Sequence, residues 1–204
     1  MKLFFAPGTC SFAPHVVLRE AGIDAELVRV NLKTRQTADG RDYLAINPKG
    51  YVPAIELDDG SVLTEGPAIV QYLGDRNPAS GIVPAAGSPA RYRLQEWLGF
   101  INSELHKSYS TLFHPELPEA SHESARANIA RRLAVIEPVL ARQPWLLGEQ
   151  FSAADAYLYT VVNWSQWTRV SLSDWPALQA FVARVAARPA VQAAQQVEAE
   201  LKLG

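Results

Sequence analysis

The first third of the chain alternates short apolar runs with turn residues. Apolar runs at 2–5 and 27–30 predict two strands, and the apolar positions between 11 and 21 predict a helix. That helix is expected to end before Gly22, because glycine is favoured just past a helix C-terminus. The order strand–helix–strand predicts a parallel pair joined by a right-handed crossover.

A hairpin and a second helix follow a less regular stretch at 31–46. Residues 51, 52 and 54–57 predict a strand that Pro53 interrupts near its start. Pro53 is expected where the strand begins or at a sheet edge, because proline cannot donate to a sheet ladder. Asp59-Gly60 predicts a two-residue turn into the next strand. Pro67 suits the first position of a helix that extends to about residue 76.

Strand signals end after residues 77–89, which hold three prolines and two glycines and are typical of a linker. Ser152 and Asp155 have the spacing of a helix N-cap and its third residue. Pro138 is expected to kink or divide its helix near Glu137. Apolar residues at helical spacing predict helices over 90–112, 123–141, from 152 onward, 176–187 and 190–201.

These elements predict an α/β thioredoxin-like N-terminal domain, residues 1–80, and an all-α C-terminal domain, residues 88–204. The 204 residues are 48% hydrophobic and 20% charged, which is typical of a soluble globular protein. A net charge of −2 and the absence of a basic run or a membrane-length apolar run argue against nucleic-acid and membrane partners. One cysteine excludes an internal disulfide, so we expect a cytoplasmic protein.

Two neighbouring motifs suggest a binding site. In the stretch from Asn47 to Ala54, Pro53 leaves the backbone of Val52 available to a partner other than the sheet. The hairpin then delivers Glu65 and Gly66 to a helix N-terminus, where backbone N–H groups attract anions. A carboxylate beside free N–H groups and an open strand edge suits a small peptide with an amine and a carboxylate.

Cys10 and His106 are the candidate chemical groups. Cys10 lies just before a helix, a position that can lower a thiol pKa; the alternative is a buried, inert thiol. Gly99, Ser103 and His106 share one face of the predicted long helix; the alternative for His106 is a polar surface residue. The other histidines show no metal-ligand spacing, and no metal site is expected.

The motif Asn-Pro-x-Gly-x-Val-Pro, followed by a hairpin and Glu-Gly at a helix start, resembles the glutathione transferases over essentially the whole chain. Cys10 and the run Glu104-Leu105-His106-Lys107 resemble the bacterial beta class. The resemblance implies a homodimeric detoxifying transferase that joins the glutathione thiolate to small hydrophobic electrophiles. Glutathione is then a co-substrate, and no further cofactor is expected.

The resemblance also implies roles for the residues that bind glutathione. Val52 would pair with glutathione through its backbone, with a cis bond to Pro53. Glu65 would hold the α-amino group, and the N–H groups near Gly66 the α-carboxylate. Arg35, at a position where the class commonly has lysine, would face the glycyl carboxylate and could bind it bidentately.

Other roles that the resemblance implies concern the thiol and the second subunit. Cys10 would contact the glutathione sulfur, and His106 and Lys107 would lie near it. Ser103 and Glu104 would reach the glutathione of the other subunit. The chain departs from the family pattern at Gly66, where serine is common, and at Gly99, where a residue such as asparagine is expected.

Aromatic residues near His106 could line the pocket for the electrophile, although aromatics at helical spacing are more often core. Two other functions are also considered. One is a glutathione-dependent reductase of disulfides or peroxides with Cys10 as nucleophile, and the other is a non-catalytic binding or regulatory protein. The aromatic candidates for the pocket are Tyr109, Phe113, Trp164 and Trp167.

Overall fold

The computed structural model describes residues 1–203, with the side chains of residues 1–201. Five short strands lie in the first third, and the rest is helical. The strands are β1 Lys2–Phe5, β2 Glu26–Asn31, β3 Gln36–Thr37, β4 Ala54–Glu56 and β5 Val62–Thr64. The helices of the first part are α1 Phe12–Glu20, α2 Tyr43–Ile46 and α3 Gly66–Arg76, followed by a 3₁₀ turn at Pro78–Ser80. The later helices are α4 Pro89–Phe100, α5 Lys107–Leu112, α6 Glu119–Leu140, α7 Ala153–Val162, α8 Ser165–Thr168, α9 Pro176–Ala186 and α10 Pro189–Leu203.

The sheet has the order β3-β2-β1-β4-β5. The central strand β1 pairs in parallel with β2 and antiparallel with β4, which confirms the parallel pair predicted from the sequence. Leu3, Phe4 and Phe5 are fully buried because both faces of β1 are covered. The α/β N-terminal part followed by helices confirms the predicted fold class.

The turn between β4 and β5 is one residue longer than predicted. The Leu57 N–H donates to the Ser61 carbonyl at 2.8 Å, so three residues, not two, form the loop. Asp59 Oδ1 accepts the Ser61 N–H at 2.9 Å, and Gly60 has a φ of 82°, which stabilise this wider turn.

The predicted continuous α-helix over 90–112 is wrong at its centre. Residues Ile101–His106 form a π-helical segment between α4 and α5. A π-helix bonds residue i to i+5, so its turn is wider than that of an α-helix. Such segments are frequent at functional sites, and this one contains Ser103, Glu104 and His106.

Pro138 does not divide its helix, so of the two predicted effects, a kink or a division, the division is wrong. Helix α6 continues to Leu140, and Pro138 lies in its last turn. The preceding residue, Glu137, has another role: its carboxylate accepts the N–H groups of Ala177 and Leu178 at 2.8 and 2.9 Å. It therefore caps the N-terminus of α9 from a different helix.

The predicted cap of α7 is present. Both bonds of the capping box between Ser152 and Asp155 are made. Asp155 also accepts the Leu146 N–H at 2.8 Å. Burial nevertheless raises the pKa of Asp155 to about 6, because desolvation outweighs these hydrogen bonds.

One apolar core runs through both halves of the chain. It extends from β1 and α1 to α10 through α4, the π-helical segment and α5, which together are called the long helix. Glu20 on α1 accepts two hydrogen bonds from Arg188, at 2.6 and 2.8 Å, across the junction of the halves. No helix within residues 1–203 combines the length and the apolar character that crossing a bilayer requires.

Candidate functional site

A cleft of about 390 Å³ lies between the N-terminal α/β part and the π-helical segment. It brings together residues that are distant in sequence, from the turn before α1, the loop before β4, the start of α3 and the long helix. Seven of the predicted site residues line it: Cys10, Val52, Pro53, Glu65, Gly66, His106 and Lys107.

The Cys10 thiol points at the backbone of the loop before β4. Its Sγ donates to the Val52 carbonyl at 3.2 Å. Burial raises the pKa of Cys10 from 9.0 to about 11, and the nearby Lys107 lowers it only in part. A helix N-terminus stabilises an anion by about 0.3–1 kcal/mol, whereas a rise of about two units corresponds to roughly 2.7 kcal/mol. The expectation of a lowered thiol pKa is therefore corrected.

The loop before β4 holds the backbone of Val52 open to the cleft. The Val52–Pro53 bond is cis, as the resemblance implies. Among the described residues, the Val52 N–H donates a hydrogen bond to no acceptor. The Tyr51 carbonyl is fixed by the Tyr43 hydroxyl at 2.7 Å and the Asn47 side-chain amide at 2.8 Å.

Glu65 and Gly66 form the N-terminus of α3 as predicted. Glu65 has a φ of 72°, a conformation that costs a non-glycine residue about 1–3 kcal/mol and is frequent at functional sites. Pro67 has no N–H, and the Ala68 N–H donates to the Glu65 carbonyl at 3.0 Å. Gly66 therefore supplies the N–H that is left for an anion.

Lys49 and His114 are among the cleft residues that had no role in the sequence analysis. Lys49 Nζ lies 2.7 Å from Glu65 Oε1 and 3.0 Å from the Thr64 hydroxyl. His114 lines the outer end of the cleft and pairs with Glu116 at 2.8 Å. Lys49 lies inside the motif that begins at Asn47, so its position in that motif was the available signal.

His106 lies in the π-helical segment, and aromatic rings pack around it. Its Nδ1 is 2.7 Å from the Tyr157 hydroxyl, which donates to Asn102 Oδ1 at 2.9 Å. The Trp164 ring meets the imidazole edge-on at 4.9 Å. Burial and the charge of Lys107 lower the pKa of His106 to about 4, so the imidazole is neutral at pH 7.

Sequence reasoning missed Tyr157 and Asn102. Every residue of α7 is buried, and its mean hydropathy predicts core alone. A hydroxyl in such an apolar helix must find a hydrogen-bond partner, and that requirement was the signal.

Arg35 braces the loop before β4. Its Nη1 donates to the Gly50 carbonyl, and its φ of 60° lies in the left-handed region. Arg35 is not among the residues that line the cleft, so its contact with a glycyl carboxylate stays a prediction.

Ser103 and Glu104 face away from Cys10. They border a second cavity, of about 530 Å³, between the long helix and α6. Ser103 Oγ donates to the Gly99 carbonyl at 3.0 Å, and Arg132 donates twice to Glu104, at 2.9 and 2.6 Å. A single copy of the chain does not bring these two residues to the Cys10 cleft.

The structure separates the four aromatic candidates. Tyr109 is fully buried, and its hydroxyl bonds Ser165 at 2.6 Å, so it belongs to the core instead of a pocket wall. Phe113 is half-exposed and packs on Trp164 at 5.5 Å. Trp167 is exposed and lines, together with Trp164, a third cavity of about 220 Å³ beside the Gly8 turn.

Comparisons with known proteins agree with this architecture. The model of the glutathione S-transferase N-terminal domain matches residues 9–76, and that of the C-terminal domain matches residues 100–189. Glutathione S-transferase GstA of Escherichia coli O157:H7 is 44% identical over 97% of this chain and 98% of its own length.

Two solved structures share the fold over nearly all of their length. A sphingomonad glutathione S-transferase complexed with glutathione is 45% identical, with a TM-score of 0.95 and coverage of 98% of this chain and 99% of that one. A bacterial beta-class glutathione S-transferase of Sphingomonas chungbukensis is 40% identical, with a TM-score of 0.94 and coverage of 97% and 98%. The chain therefore belongs to the glutathione S-transferase family and, by these likenesses, to its bacterial beta class.

Proposed function

We propose that the protein conjugates the thiolate of glutathione to small hydrophobic electrophiles. The observation that carries this proposal is one cleft that presents three groups together. These are the open backbone of Val52 beside the Cys10 thiol, the Glu65 carboxylate, and the free Gly66 N–H at the start of α3. A tripeptide with an amine, a carboxylate and a thiol complements this set.

Each part of glutathione has a matching group. The α-amino group pairs with Glu65, and the α-carboxylate accepts the Gly66 N–H at the positive end of α3. The cysteinyl backbone pairs with Val52, which positions the sulfur beside Cys10. Arg35 supplies positive charge behind the loop, toward the glycyl end.

The site favours glutathione, not Cys10, as the nucleophile. With a pKa of about 11, Cys10 is a thiol at neutral pH and acts as a hydrogen-bond donor. The neutral His106 accepts the proton of the glutathione thiol, and the charge of Lys107 stabilises the thiolate. The thiolate is an opposite charge beside the imidazolium, so in the complex it raises the pKa of His106, which burial and Lys107 lower in the free protein. The thiolate then bonds to the electrophilic carbon, and the leaving group departs with its electron pair.

The electrophile would approach from the side of Phe113 and Trp164, next to His106. The protein would work as a cytoplasmic homodimer in which Ser103 and Glu104 extend to the other subunit's glutathione. In support, Ser103 is exposed and both residues lie outside the cleft of their own chain.

The test is a calorimetric titration of glutathione into the purified protein. We expect micromolar-to-millimolar binding, weakened at least tenfold in Glu65→Ala, because a hydrogen bond to a charged group contributes about 1.5–3 kcal/mol. Glu96→Ala removes the same charge from an exposed position paired with Arg93 and should bind normally. Absence of binding by the wild type would overturn the proposal and favour a non-catalytic role.

A second assay separates conjugation from reduction. Cys10→Ala should retain conjugation to an aryl halide, since the attacking sulfur belongs to glutathione. If the variant loses disulfide reduction yet retains conjugation, both activities exist and use different sulfurs. If the wild type reduces disulfides without conjugating the aryl halide, and Cys10→Ala loses that reduction, the reductase alternative is correct.

A further inference from the structure

The Tyr157 hydroxyl lies between two polar side chains of the long helix. It is 2.7 Å from His106 Nδ1 and donates to Asn102 Oδ1 at 2.9 Å. A tyrosine hydroxyl has one hydrogen, so it can donate to only one of the two. With Asn102 Oδ1 as the assigned acceptor of that hydrogen, the contact with His106 requires a hydrogen on Nδ1.

A hydrogen on Nδ1 also determines the protonation of the other ring nitrogen, Nε2. A neutral imidazole has a single N–H, and its second nitrogen is a bare acceptor. His106 is neutral at pH 7 because burial and Lys107 lower its pKa. Its Nε2 therefore has a free lone pair, and none of the described side chains donates to it.

The backbone explains why both partners reach one hydroxyl. In an α-helix, residues four apart are offset around the axis by about 40°. Residues four apart lie on the same side of a helix, in the π-helical segment as in an α-helix, so Asn102 and His106 both face Tyr157. Tyr157 is held in the fully buried helix α7, so its hydroxyl is a fixed point.

The imidazole is also held on its flanks. The rings of Trp164 and Tyr157 meet it edge-on, with centroids at 4.9 and 5.9 Å. The titratable groups that face the pair are Lys107 on the long helix, Cys10 before α1 and Glu65 at the start of α3. None of these three replaces the Tyr157 contact at Nδ1.

We propose that Tyr157 and Asn102 are positioning residues that hold His106 in the Nδ1–H tautomer, so that the bare Nε2 accepts the proton of the substrate thiol. The step is a simple transfer: the S–H bond breaks, an N–H bond forms at Nε2, and the electron pair stays on sulfur. The catalytic part rests on the proposed function, whereas the tautomer does not.

The tautomer is measured directly by ¹⁵N NMR of the full chain at pH 7, through the chemical shifts of the two ring nitrogens. The His106 signals are assigned by their loss in His106→Asn. We expect a protonated Nδ1 and a bare Nε2 in the wild type. A bare Nδ1 with a protonated Nε2 would overturn the inference, whether or not the protein binds glutathione.

Three variants test the positioning roles. Asn102→Leu releases the Tyr157 hydrogen to donate to Nδ1, so we expect the Nε2–H form to become dominant. Tyr157→Phe removes the acceptor, and we expect a mixture of tautomers. Tyr159→Phe is the matched control on the same helix, because its hydroxyl bonds Gln195 instead of His106. Unchanged shifts in both Asn102→Leu and Tyr157→Phe would refute the inference.

The kinetic readout separates this inference from the proposed function. With an aryl halide, Asn102→Leu should lower kcat about tenfold or more while KM for glutathione stays within twofold, since general-base catalysis contributes 10²–10⁴-fold. Tyr157→Phe keeps part of the population in the active tautomer and should lower kcat less. Equal losses in kcat and in glutathione affinity would indicate a merely structural role. Absence of glutathione binding in the wild type would contradict the proposed function and leave the NMR result to decide the tautomer.

Discussion

Lys49 Nζ and Glu65 Oε1 form an ion pair of 2.7 Å at the mouth of the cleft. The pair occupies the same carboxylate that the proposed site offers to the amine of glutathione. Both side chains are more than half exposed, so the pair is weak and can be exchanged. Lys49 therefore competes with the ligand for Glu65.

Replacement of Lys49 by glutamine should strengthen glutathione binding. Exposed ion pairs contribute about 0.2–1 kcal/mol, so the gain should not exceed about fivefold, and it should shrink at high salt. Calorimetry measures the change, with Lys33→Gln as a charge-matched control on the surface. Weaker binding in Lys49→Gln would show that Lys49 contacts the ligand instead of competing with it.

The alkylation rate of Cys10 should depend on pH as expected for a thiol with a raised pKa. Burial favours the thiol, so at pH 8 only about one molecule in a thousand has the thiolate, and alkylation by iodoacetamide should accelerate up to about pH 11. Because Lys107 lowers this pKa, Lys107→Met should slow alkylation at pH 8. The single cysteine makes the rate unambiguous. A rate that levels off near pH 7 would contradict the burial argument.

Gly66→Ser should strengthen glutathione binding. A Cβ at this position would meet nothing within 4 Å, so the side chain fits without rearrangement. The hydroxyl adds a hydrogen bond to the α-carboxylate, worth roughly 1.5 kcal/mol, or about tenfold in affinity. Gly66→Ala adds the same Cβ without the hydroxyl and should bind like the wild type. If alanine and serine have the same effect, the carboxylate lies elsewhere.

The variants Phe113→Ala and Trp167→Ala test which of two surfaces binds the electrophile. Phe113 packs on the Trp164 face beside His106, whereas Trp167 lines the separate cavity at Gly8. We expect Phe113→Ala to raise KM for an aryl halide severalfold without changing glutathione affinity, and Trp167→Ala to change neither. The opposite pattern would place the electrophile in the Gly8 cavity.

The order of elements was predictable because it depends on local signals. Apolar periods of two and of about 3.6, together with the Ser152–Asp155 cap, predict strands and helices without tertiary information. The segment Ile101–His106 was not predictable in this way, since one widened turn hardly changes the apolar spacing. That turn determines the directions of the Ser103 and His106 side chains. Helical spacing alone therefore could not predict whether the two side chains share a face.

The chemistry of the site depended even more on tertiary structure. The residue types at positions 10, 65 and 106 indicated a thiol, an amine partner and a base. The raised pKa of Cys10 and the lowered pKa of His106 arise from burial, which sequence spacing does not reveal. The positive φ of Glu65 left no sequence signal, because glutamate is not typical of such a conformation.

The unbroken core from β1 to α10 limits how the chain can be divided. Helix α1 is buried from Phe12 to Leu18, and its Phe12 ring packs on Tyr159 of α7. A chain cut between α3 and α4 would expose this apolar surface on both pieces. Neither fragment should be soluble alone, but co-expressed fragments should reassemble, which makes that connection a natural position for a split-protein reporter.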